Sequence, residues 1–465
     1  MISLPLSLIN TKSKVPFTSV QKNSESQKAK TDSFTPAQNK TLILGQLPKD
    51  IKIDISKISA SSEGVTATNS TGYLAQIFKY KSSIFSKTYA IKKVWPKDMA
   101  KHITANPTEQ LATEAKVYEK LKGVKNIPEF YFYKGDFSNN SNAIDNNYLV
   151  MSWVDGESAS NNGTFYNLGL IDNKKLEKIF SLLSKFDEKG ILHNDLWAGN
   201  ILFTKNDVNI IDFNRSVLFD PLKEPEKSNL ESFKERFLWR YLSDVYKQKG
   251  EGESVNIYKY ICNLEQNLLL QRANLLLSNG QEEDAKRLES KSANIRLRIN
   301  DPKLMKQETI DTIYKSDLRC SKIYAKYFEF EDGESLECYN RIRTLTDKNP
   351  QINANPKNID SNIKIIRMFK LAMKQTEKNN FTDSLKLYEK ILKKLEDENS
   401  YGSEEKEEIY YKKFTEFTKL NIKILTALNA NNKLEAKNIL ETNKEFFYQT
   451  KRLIPYYNKL SALIQ

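Results

Sequence analysis

Cysteine and histidine are scarce in this chain of 465 residues. The three cysteines, Cys262, Cys320 and Cys338, lack C-x-x-C spacing, which excludes a disulfide framework or a zinc site of the usual pattern and favours a reducing compartment. No apolar run approaches the roughly 20 residues of a transmembrane helix, so no membrane span is predicted. The short apolar run in residues 1–9 lacks a basic flank and is interrupted by Pro5, which argues against a secretory signal peptide.

Charge of one sign is in modest excess. The chain has 72 basic and 59 acidic residues, which gives a formal net charge of +13. Both signs are mixed along the helical stretches, and basic clusters flanked by aromatic residues are missing. We therefore expect a solvated, slightly basic surface and no nucleic-acid partner. The hydrophobic content of 39% suffices to fill more than one core at this length.

One of the two histidines begins a segment rich in oxygen ligands. His193-Asn-Asp195-Leu-Trp-Ala-Gly-Asn200 is followed by Asn209-Ile-Ile-Asp212-Phe213. The Asp195 carboxylate is suited to accept a hydroxyl proton, whereas the Asn200 amide oxygen and the Asp212 carboxylate suit Mg²⁺, which prefers hard oxygen donors. The spacing H-x-D-L-x-x-x-N, then I-D-F, resembles the catalytic and metal-binding loops of kinases.

The flanks of this segment support the interpretation. Residues 191–192, 201–203 and 208–211 are short apolar runs typical of buried strands, and a turn-like segment at 204–207 separates the last two. A strand-turn-strand context is what such a motif requires. The sequence therefore predicts an α+β, bilobal, protein-kinase-like domain.

Such a domain needs a lysine and a glutamate upstream. Tyr89-Ala-Ile-Lys92 predicts the strand whose lysine contacts nucleotide phosphates. Apolar residues at three- and four-residue spacing predict a helix over 111–121, on which Glu114 is placed to hold Lys92. We therefore assign catalytic roles to Asp195, Lys92 and Glu114, and metal binding to Asn200 and Asp212.

The nucleotide-binding set is weaker. Ser70-Thr-Gly72-Tyr-Leu-Ala75 fits a phosphate-covering loop in which Ser70 and Ala75 replace glycines. Residues 147–156 predict the strand between the lobes, with Met151 at the gatekeeper position and the backbone of 152–154, including Trp153, facing an adenine edge. The predicted ATP-binding residues are Ser70, Gly72, Ala75, Lys92, Met151 and Trp153.

Composition divides the chain into three parts. Residues 1–45 are rich in Ser, Thr, Asn, Gln and Lys and are expected to be disordered. Residues 46–250 form the kinase-like domain, which ends in a helix with an apolar stripe over 230–246. Residues 251–465 are predicted to be all-helical.

The helical part resembles tetratricopeptide repeats. Ala372, Ser384 and Tyr388 occupy the small and aromatic positions of a 34-residue helix-turn-helix unit, and similar pairs recur at Ala273/Ala285 and Ile424/Ala436. Stacked pairs of this kind form a concave surface that binds proteins. A plain helical bundle is the alternative.

Departures from the common kinase pattern distinguish subtypes. Asn194 stands where many protein kinases have an arginine that binds a phosphorylated activation loop. Asn214 replaces the third glycine of the metal loop, no A-P-E sequence follows, and the helix over 230–246 comes early. These features indicate a minimal kinase without activation-loop control.

With these features, residues 46–250 resemble the type III secreted effector kinases of enteric bacteria, of the OspG and NleH kind. The most specific matches are residues 71–78 and 193–214. The resemblance implies ATP- and Mg²⁺-dependent phosphorylation of Ser or Thr in host proteins, with autophosphorylation and a ubiquitin-pathway partner. We expect this or another protein partner to bind the helical C-terminal domain, which the known minimal members lack. It also implies that the first residues are a secretion signal and that the protein acts in the host cytoplasm.

Two alternatives remain open. Aminoglycoside, choline and fructosamine kinases share H-x-D-L-x-x-x-N, and the fructosamine type has a tryptophan two residues after the aspartate, as Trp197 does here. Protein Ser/Thr kinases usually place a lysine there. The third interpretation is a pseudokinase scaffold, although Lys92, Glu114, Asp195, Asn200 and Asp212 are all present.

Overall fold

The computed structural model of the chain describes residues 41–67, 75–95, 106–137, 146–161, 165–223, 228–329, 335–352, 356–396, 409–448, 450 and 452–464. The strands are β1 (Thr41–Gly45), β2 (Val65–Ala67), β3 (Ala75–Lys81), β4 (Thr88–Val94), β5 (Phe130–Asp136), β6 (Tyr148–Ser152), β7 (Glu157–Ser158), β8 (Ser160–Asn161), β9 (Phe165–Tyr166), β10 (Ile191–Leu192), β11 (Ile201–Phe203), β12 (Val208–Ile210) and β13 (Val217–Leu218).

The helices follow the same order along the chain. They are α1 (Pro107–Lys120), α2 (Asn173–Glu188), α3 (Asn229–Phe233), α4 (Trp239–Lys249), α5 (Glu251–Ser278), α6 (Glu282–Ile299), α7 (Pro302–Lys326), α8 (Ser335–Lys348), α9 (Pro356–Glu377), α10 (Phe381–Glu396), α11 (Ile409–Asn429), α12 (Lys433–Thr442), α13 (Lys444–Tyr448) and α14 (Leu453–Ile464). A π-helix at Lys234–Leu238 joins α3 to α4.

A six-stranded antiparallel sheet forms the first part of the fold, in the order β1-β5-β6-β4-β3-β2. Side chains of the central strand β4 alternate between two cores, because successive residues of a strand point to opposite faces. Ala90 and Val94 pack on the face that α1 covers, whereas Tyr89 and Ile91 pack with a smaller cluster on the other face. This alternation also directs Lys92 towards α1.

The edge strand β1 corrects the predicted disordered segment at its end. Residues 41–45 pair with β5 in antiparallel register, Thr41 opposite Asp136. Leu42 and Leu44 pack against the main core, while Ile43 points away from it. An alternation of two leucines therefore suffices to hold the strand, even though the surrounding composition is polar. Residues 1–40 lie outside the described part of the chain.

Helix α1 confirms the helix predicted over 111–121, although it begins earlier. Asn106 caps its N-terminus, since its side chain accepts hydrogen bonds from the amides of Thr108 and Glu109, and Pro107 occupies the first helical position. The apolar residues at three- and four-residue spacing, among them Leu111, are buried against the sheet. Glu114 is buried on the same face, which brings a carboxylate to the sheet.

The part of the fold that follows the six-stranded sheet is built on α2 and short strands. Strands β11 and β12 form the predicted hairpin, with Thr204 bonded to Asp207 across the turn, and β7 adds a third strand. The catalytic segment runs between β10 and β11. Its start and end are thus fixed by strand pairing.

The apolar stripe predicted over 230–246 is also confirmed. Helix α3, the π-helix and α4 run on without a break, and all members of the stripe are buried: Phe233, Phe237, Leu238, Tyr241, Leu242 and Val245. Ser228 and Glu231 form a capping box at the start of α3.

From residue 251 onwards the described residues are helical, as the sequence predicts. The main hydrophobic core does not end at residue 250, however. It includes Ile257 and Ile261 of α5, Ile310 of α7 and Leu345 of α8, together with residues of α2 and α4. Helices α5 to α8 therefore complete the core that α1, α2 and α4 share with the sheet, while a second core is centred on α9 to α14.

The small residues of the proposed repeats lie between paired helices. Ala372 of α9 and Ser384 of α10 are fully buried, and the Ser384 hydroxyl donates to the Ala372 carbonyl at 2.8 Å. Ala273/Ala285 and Ile424/Ala436 are buried in the same way. The 34-residue period of a tetratricopeptide repeat is absent from the described residues, because successive pairs begin at residues 251, 302, 356 and 409. The small-residue pattern predicted the pairing, but the helices are too long for that repeat.

Among the described residues, no helix is both long enough and apolar enough to span a membrane.

Candidate active site

Three charged side chains, each predicted from a different motif, meet where β4 and α1 lie next to the loop that follows β12. Lys92 Nζ lies 2.7 Å from Glu114 Oε2, and it also donates to Asp212 Oδ1. Lys92 and Glu114 are buried, whereas the Asp212 side chain is 30% exposed. We call these three residues the catalytic cluster, after the role that the sequence predicts for this site. One end is closed by α1, and the other end opens at Asp212.

Burial and charge act against each other in this cluster. Burial raises the pKa of Glu114 to about 7 and the Asp212 charge adds to this, although Lys92 and the Phe213 amide favour the ionised carboxylate. Burial disfavours the charged form of Lys92, but the two carboxylates outweigh it and raise the pKa of the amine. Lys92 is therefore held as a cation that is already oriented.

The predicted catalytic loop, residues 193–200, is held in its conformation by the Asn200 side chain. Asn200 Nδ2 donates to the Asp195 carbonyl at 2.8 Å and approaches Asp195 Oδ2 at 3.3 Å. Because the amide nitrogen is used in this way, the oxygen is the atom that Asn200 offers to a cation. Asn194 has a φ of 61°, a left-handed conformation that asparagine tolerates better than most residues. The left-handed backbone at residue 194 therefore favours asparagine over arginine at this position.

His193 has a structural part in this loop. The ring is fully buried, its Nδ1 accepts from the Asp195 amide at 3.3 Å, and its Nε2 lies 3.1 Å from the Ile211 carbonyl. Burial lowers the pKa of His193, so the neutral ring donates at Nε2 and accepts at Nδ1. His193 therefore joins the loop of Asp195 to the loop of Asp212.

The predicted metal-binding loop, which contains Asp212 and Phe213, is held in place by contacts between aromatic rings. Phe213 is fully buried, and its ring lies 4.6 Å from that of His193 and 5.1 Å from that of Tyr118 on α1. Asp212 itself has a φ of 67°. A non-glycine residue in this region is strained, and such strain persists where the surroundings determine the conformation.

The backbone of the predicted hinge is partly used by the fold. The Ser152 amide donates to the Glu129 carbonyl at 2.9 Å, and the Trp153 amide donates to the Thr88 carbonyl at 3.0 Å. The Val154 amide donates to no residue in the described part of the chain. Of the three predicted amides, only that of Val154 remains for an adenine edge.

The side chains at the hinge have different environments. Met151 is buried, and in the pairing of β4 with β6 it lies opposite Ala90, which is two residues before Lys92. This is the position at which a gatekeeper residue is expected. The Trp153 indole donates to Asp155 at 2.7 Å, and Lys79 lies over its ring. Trp153 therefore helps to join β3 to the segment after β6.

The phosphate-covering loop can be followed only at its end. Ser70 and Gly72 lie outside the described residues. Ala75 begins β3, is buried, and pairs with Val94.

Sequence reasoning missed one residue of the site. Arg236, on the π-helix, places Nη1 2.7 Å from Asp195 Oδ1. It belongs to no motif, and an arginine within an apolar stripe normally indicates a solvent-facing position. No signal in a single sequence relates it to a residue 41 positions earlier.

Trp197 lies in the same loop as Asp195, two residues further along the chain. Its side chain is 39% exposed, and its ring lies against Gly199, where a Cβ atom would come within 2.3 Å of the ring. Glycine at 199 therefore allows the indole to lie flat along the loop. The loop thus presents an aromatic surface where protein Ser/Thr kinases usually have a lysine.

The donors fit a magnesium ion that also contacts nucleotide phosphates. Asn200 and Asp212 supply two oxygens, and the catalytic cluster has two carboxylates against one lysine. Within the described residues, no group of three or more His, Cys, Asp or Glu side chains could form a closed metal cage. Mg²⁺ commonly uses one or two protein carboxylates and completes its shell with water and phosphate oxygens.

Comparison with known proteins adds no assignment: no protein-family model matches this chain, and a search of curated proteins finds no match.

Proposed function

We propose that the protein is a phosphotransferase that uses ATP and Mg²⁺ and has protein Ser or Thr hydroxyls as acceptors. The observation that supports this best is the catalytic cluster, in which Lys92 contacts Glu114 and Asp212 beside the loop of Asp195 and Asn200. In phosphoryl transfer, the protein contributes mainly placement and neutralisation of charge. These residues are suited to both.

Each side chain has a defined role in this mechanism. Glu114 holds the Lys92 ammonium, which contacts the nucleotide phosphates. Asp195 accepts the hydrogen bond of the acceptor hydroxyl and orients its oxygen towards the phosphorus. The hydrogen bond of 2.8 Å from the Asn200 side-chain amide to the Asp195 carbonyl holds these two residues at a fixed position relative to each other.

Magnesium would be held by Asn200 Oδ1 and the Asp212 carboxylate, where it would neutralise negative charge on the phosphates. The left-handed backbone at Asp212 and the buried Phe213 ring next to it orient that carboxylate.

A protein acceptor is supported by the short stretch of sequence between the hinge and the catalytic loop. Between β6 and β10 the described residues contain short strands, one 3₁₀ turn and α2, without added helices that would enclose a small molecule. The resemblance to secreted effector kinases supports a host protein as acceptor and delivery by the type III route. Helices α9 to α14 would then offer a partner-binding surface.

Trp197 favours a second candidate function. An exposed indole beside Asp195 gives an apolar surface to a small hydroxyl or amine substrate, as in the fructosamine-type kinases with tryptophan at this position. The second candidate is therefore a small-molecule phosphotransferase with the same chemistry and a different acceptor.

One experiment tests both. The purified chain is incubated with γ-labelled ATP and Mg²⁺, alone, with host-cell lysate, and with a panel of small alcohols and amines. Label in protein supports the first proposal, and label only in small molecules supports the second. Label in neither, with nucleotide still bound, contradicts both and indicates a scaffold.

A matched pair of variants controls the experiment. Asp195→Asn removes the predicted proton acceptor with little change in shape. Asp347→Asn makes the same change at a half-exposed carboxylate on α8. We expect label to disappear only in the first variant.

A further inference from the structure

The catalytic loop lacks a cation at the position two residues after Asp195, since Trp197 stands there. A transferring phosphoryl group carries negative charge, and sites for this reaction place cations around it. Lys92 is buried on the α1 side of the site, in contact with Glu114 and Asp212. The acceptor side, where Asp195 lies, therefore needs its own positive charge.

Arg236 supplies a charge at that place. Its guanidinium lies 2.7 Å from Asp195, and the arginine side chain is 36% exposed. A guanidinium has five donors in a planar fork and can bind a carboxylate and a phosphate oxygen together.

The position of Arg236 is determined by the packing on both sides. Phe233 and Phe237 are fully buried, and their rings stack at 4.9 Å. Arg236 lies between them in the sequence, within the π-helix of residues 234–238. Such bulges occur often at functional sites because they redirect side chains within a helix.

The neighbours of Arg236 anchor this turn to the later helices. Lys234 forms an ion pair with Glu265 of α5 at 2.7 Å. Glu235 forms one with Arg319 of α7 at 2.9 Å. Two helices from beyond residue 250 therefore hold the turn that presents Arg236.

We propose that Arg236 is a catalytic residue: the cation that neutralises the transferring phosphoryl group, supplied by the π-helix instead of the catalytic loop, and kept in place by α5 and α7. This rests on the proposed phosphotransferase function and names a residue of the same site. The contact of Arg236 with Asp195 Oδ1 leaves Asp195 Oδ2 to the acceptor hydroxyl, and from this position the guanidinium would donate to the transferring phosphate.

The test compares full-length wild type with Arg236→Met, Arg236→Gln and Arg236→Lys. Arg236→Gln retains a hydrogen bond to Asp195 without charge, and Arg236→Lys retains the charge. Arg343→Met, in an arginine that pairs with Asp347 and Asp360 on the surface of α8 and α9, is the matched control. Turnover is measured together with the Kd for Mg²⁺-ADP in the absence and presence of aluminium fluoride, which mimics the transferring group.

We expect Arg236→Met and Arg236→Gln to lower kcat about 100-fold, the size of effect seen when one charge-stabilising donor is removed. The KM for ATP should change little, and the gain in ADP affinity with aluminium fluoride should disappear. Arg236→Lys should recover part of both, and Arg343→Met should behave like wild type. If Arg236→Met fails to fold, as seen by circular dichroism, Arg236→Gln provides the same comparison.

Two results would overturn the inference. The first is an Arg236→Gln variant that retains both turnover and the fluoride gain. The second is an equal loss of ADP affinity with and without fluoride, which indicates a strut for the loop and no contact with phosphate. If wild type transfers no label, the proposed function fails and the catalytic role of Arg236 fails with it. If wild type transfers label and gains ADP affinity with fluoride, and Arg236→Gln does both equally well, only the inference about Arg236 fails.

Discussion

Two buried ion clusters in the described part of the chain are balanced differently. The catalytic cluster has one lysine and two carboxylates, and it opens to the cleft through Asp212. The second, which we call the helical cluster, joins Arg240 and Asp244 of α4 to Asp317 of α7 and Arg341 of α8. It has two arginines and two aspartates, and both aspartates are fully buried.

The difference shows what each cluster needs. In the helical cluster, Arg341 contacts Asp317 at 2.7 Å, and Ser243 donates to the same carboxylate at 2.7 Å. Burial raises the pKa of the neighbouring Cys338 to about 12, so that its thiol adds no charge. In this cluster, two arginines balance the charge of two aspartates. The catalytic cluster retains an excess negative charge, which a cation from outside the chain would neutralise.

The largest expected effect is on the catalytic side and affects rate alone. Asp195→Asn should lower phosphoryl transfer by about 10³-fold or more, because the acceptor hydroxyl loses the group that positions it and accepts its proton. The Kd for Mg²⁺-ATP should change little, which isothermal titration calorimetry can measure. Unchanged turnover in the folded variant would contradict the role of Asp195.

The helical cluster should respond in the opposite way. Arg240→Met leaves two buried carboxylates with one arginine, and breaking a buried ion pair in this manner destabilises a protein by about 3–5 kcal/mol. Denaturant unfolding should show this loss, while turnover per folded molecule stays close to wild type. A variant with full stability would show that the arginine is not needed to balance the two aspartates.

A smaller effect is expected when the charge excess itself is removed. Asp212→Asn leaves one lysine and one carboxylate, so the catalytic cluster becomes balanced. We expect Mg²⁺ to strengthen ATP binding about 100-fold less than in wild type, by analogy with the loss on altering metal-site residues. Measurement of the Kd for ATP with and without Mg²⁺ checks this. An undiminished Mg²⁺ effect would rule out Asp212 as a ligand.

The smallest effect is a pH dependence of stability. Because the pKa of Glu114 is raised to about 7 from its ordinary value of 4.5, the folded state binds a proton more tightly than the unfolded state. The stability due to this proton is present below pH 4.5 and is lost as the pH rises through about 7.

The change Glu114→Gln removes this titration. The Tm of wild type should therefore fall relative to that of the variant between pH 4.5 and 7, as followed by thermal denaturation. Parallel curves for the two proteins would mean that Glu114 does not titrate in this range.

The catalytic cluster was within reach of the sequence because each member belongs to a local pattern. Strand alternation directs Lys92 to the α1 side, helical spacing places Glu114 on the buried face, and the hairpin of β11 and β12 brings Asp212 back to the catalytic loop. Each of these rules acts over a few residues. Together they predict a meeting of groups 120 positions apart.

The helical cluster and Arg236 could not be predicted in this way. Arg240 meets Asp317 because α4 packs on α7, and no periodicity within either helix specifies the partner. For the same reason, the sharing of one core across residue 250 was not foreseen. The tetratricopeptide period failed differently: small residues show where two helices touch, but they leave the helix lengths open.

The core shared across residue 250 has a consequence for synthesis on the ribosome. The main core takes in residues as late as Ile352, and Arg319 anchors the turn that carries Arg236. At about 5–20 residues per second, the ribosome needs several more seconds after residue 250 to complete these helices. The nascent chain would therefore have every residue of the catalytic cluster before it has the support for the acceptor side.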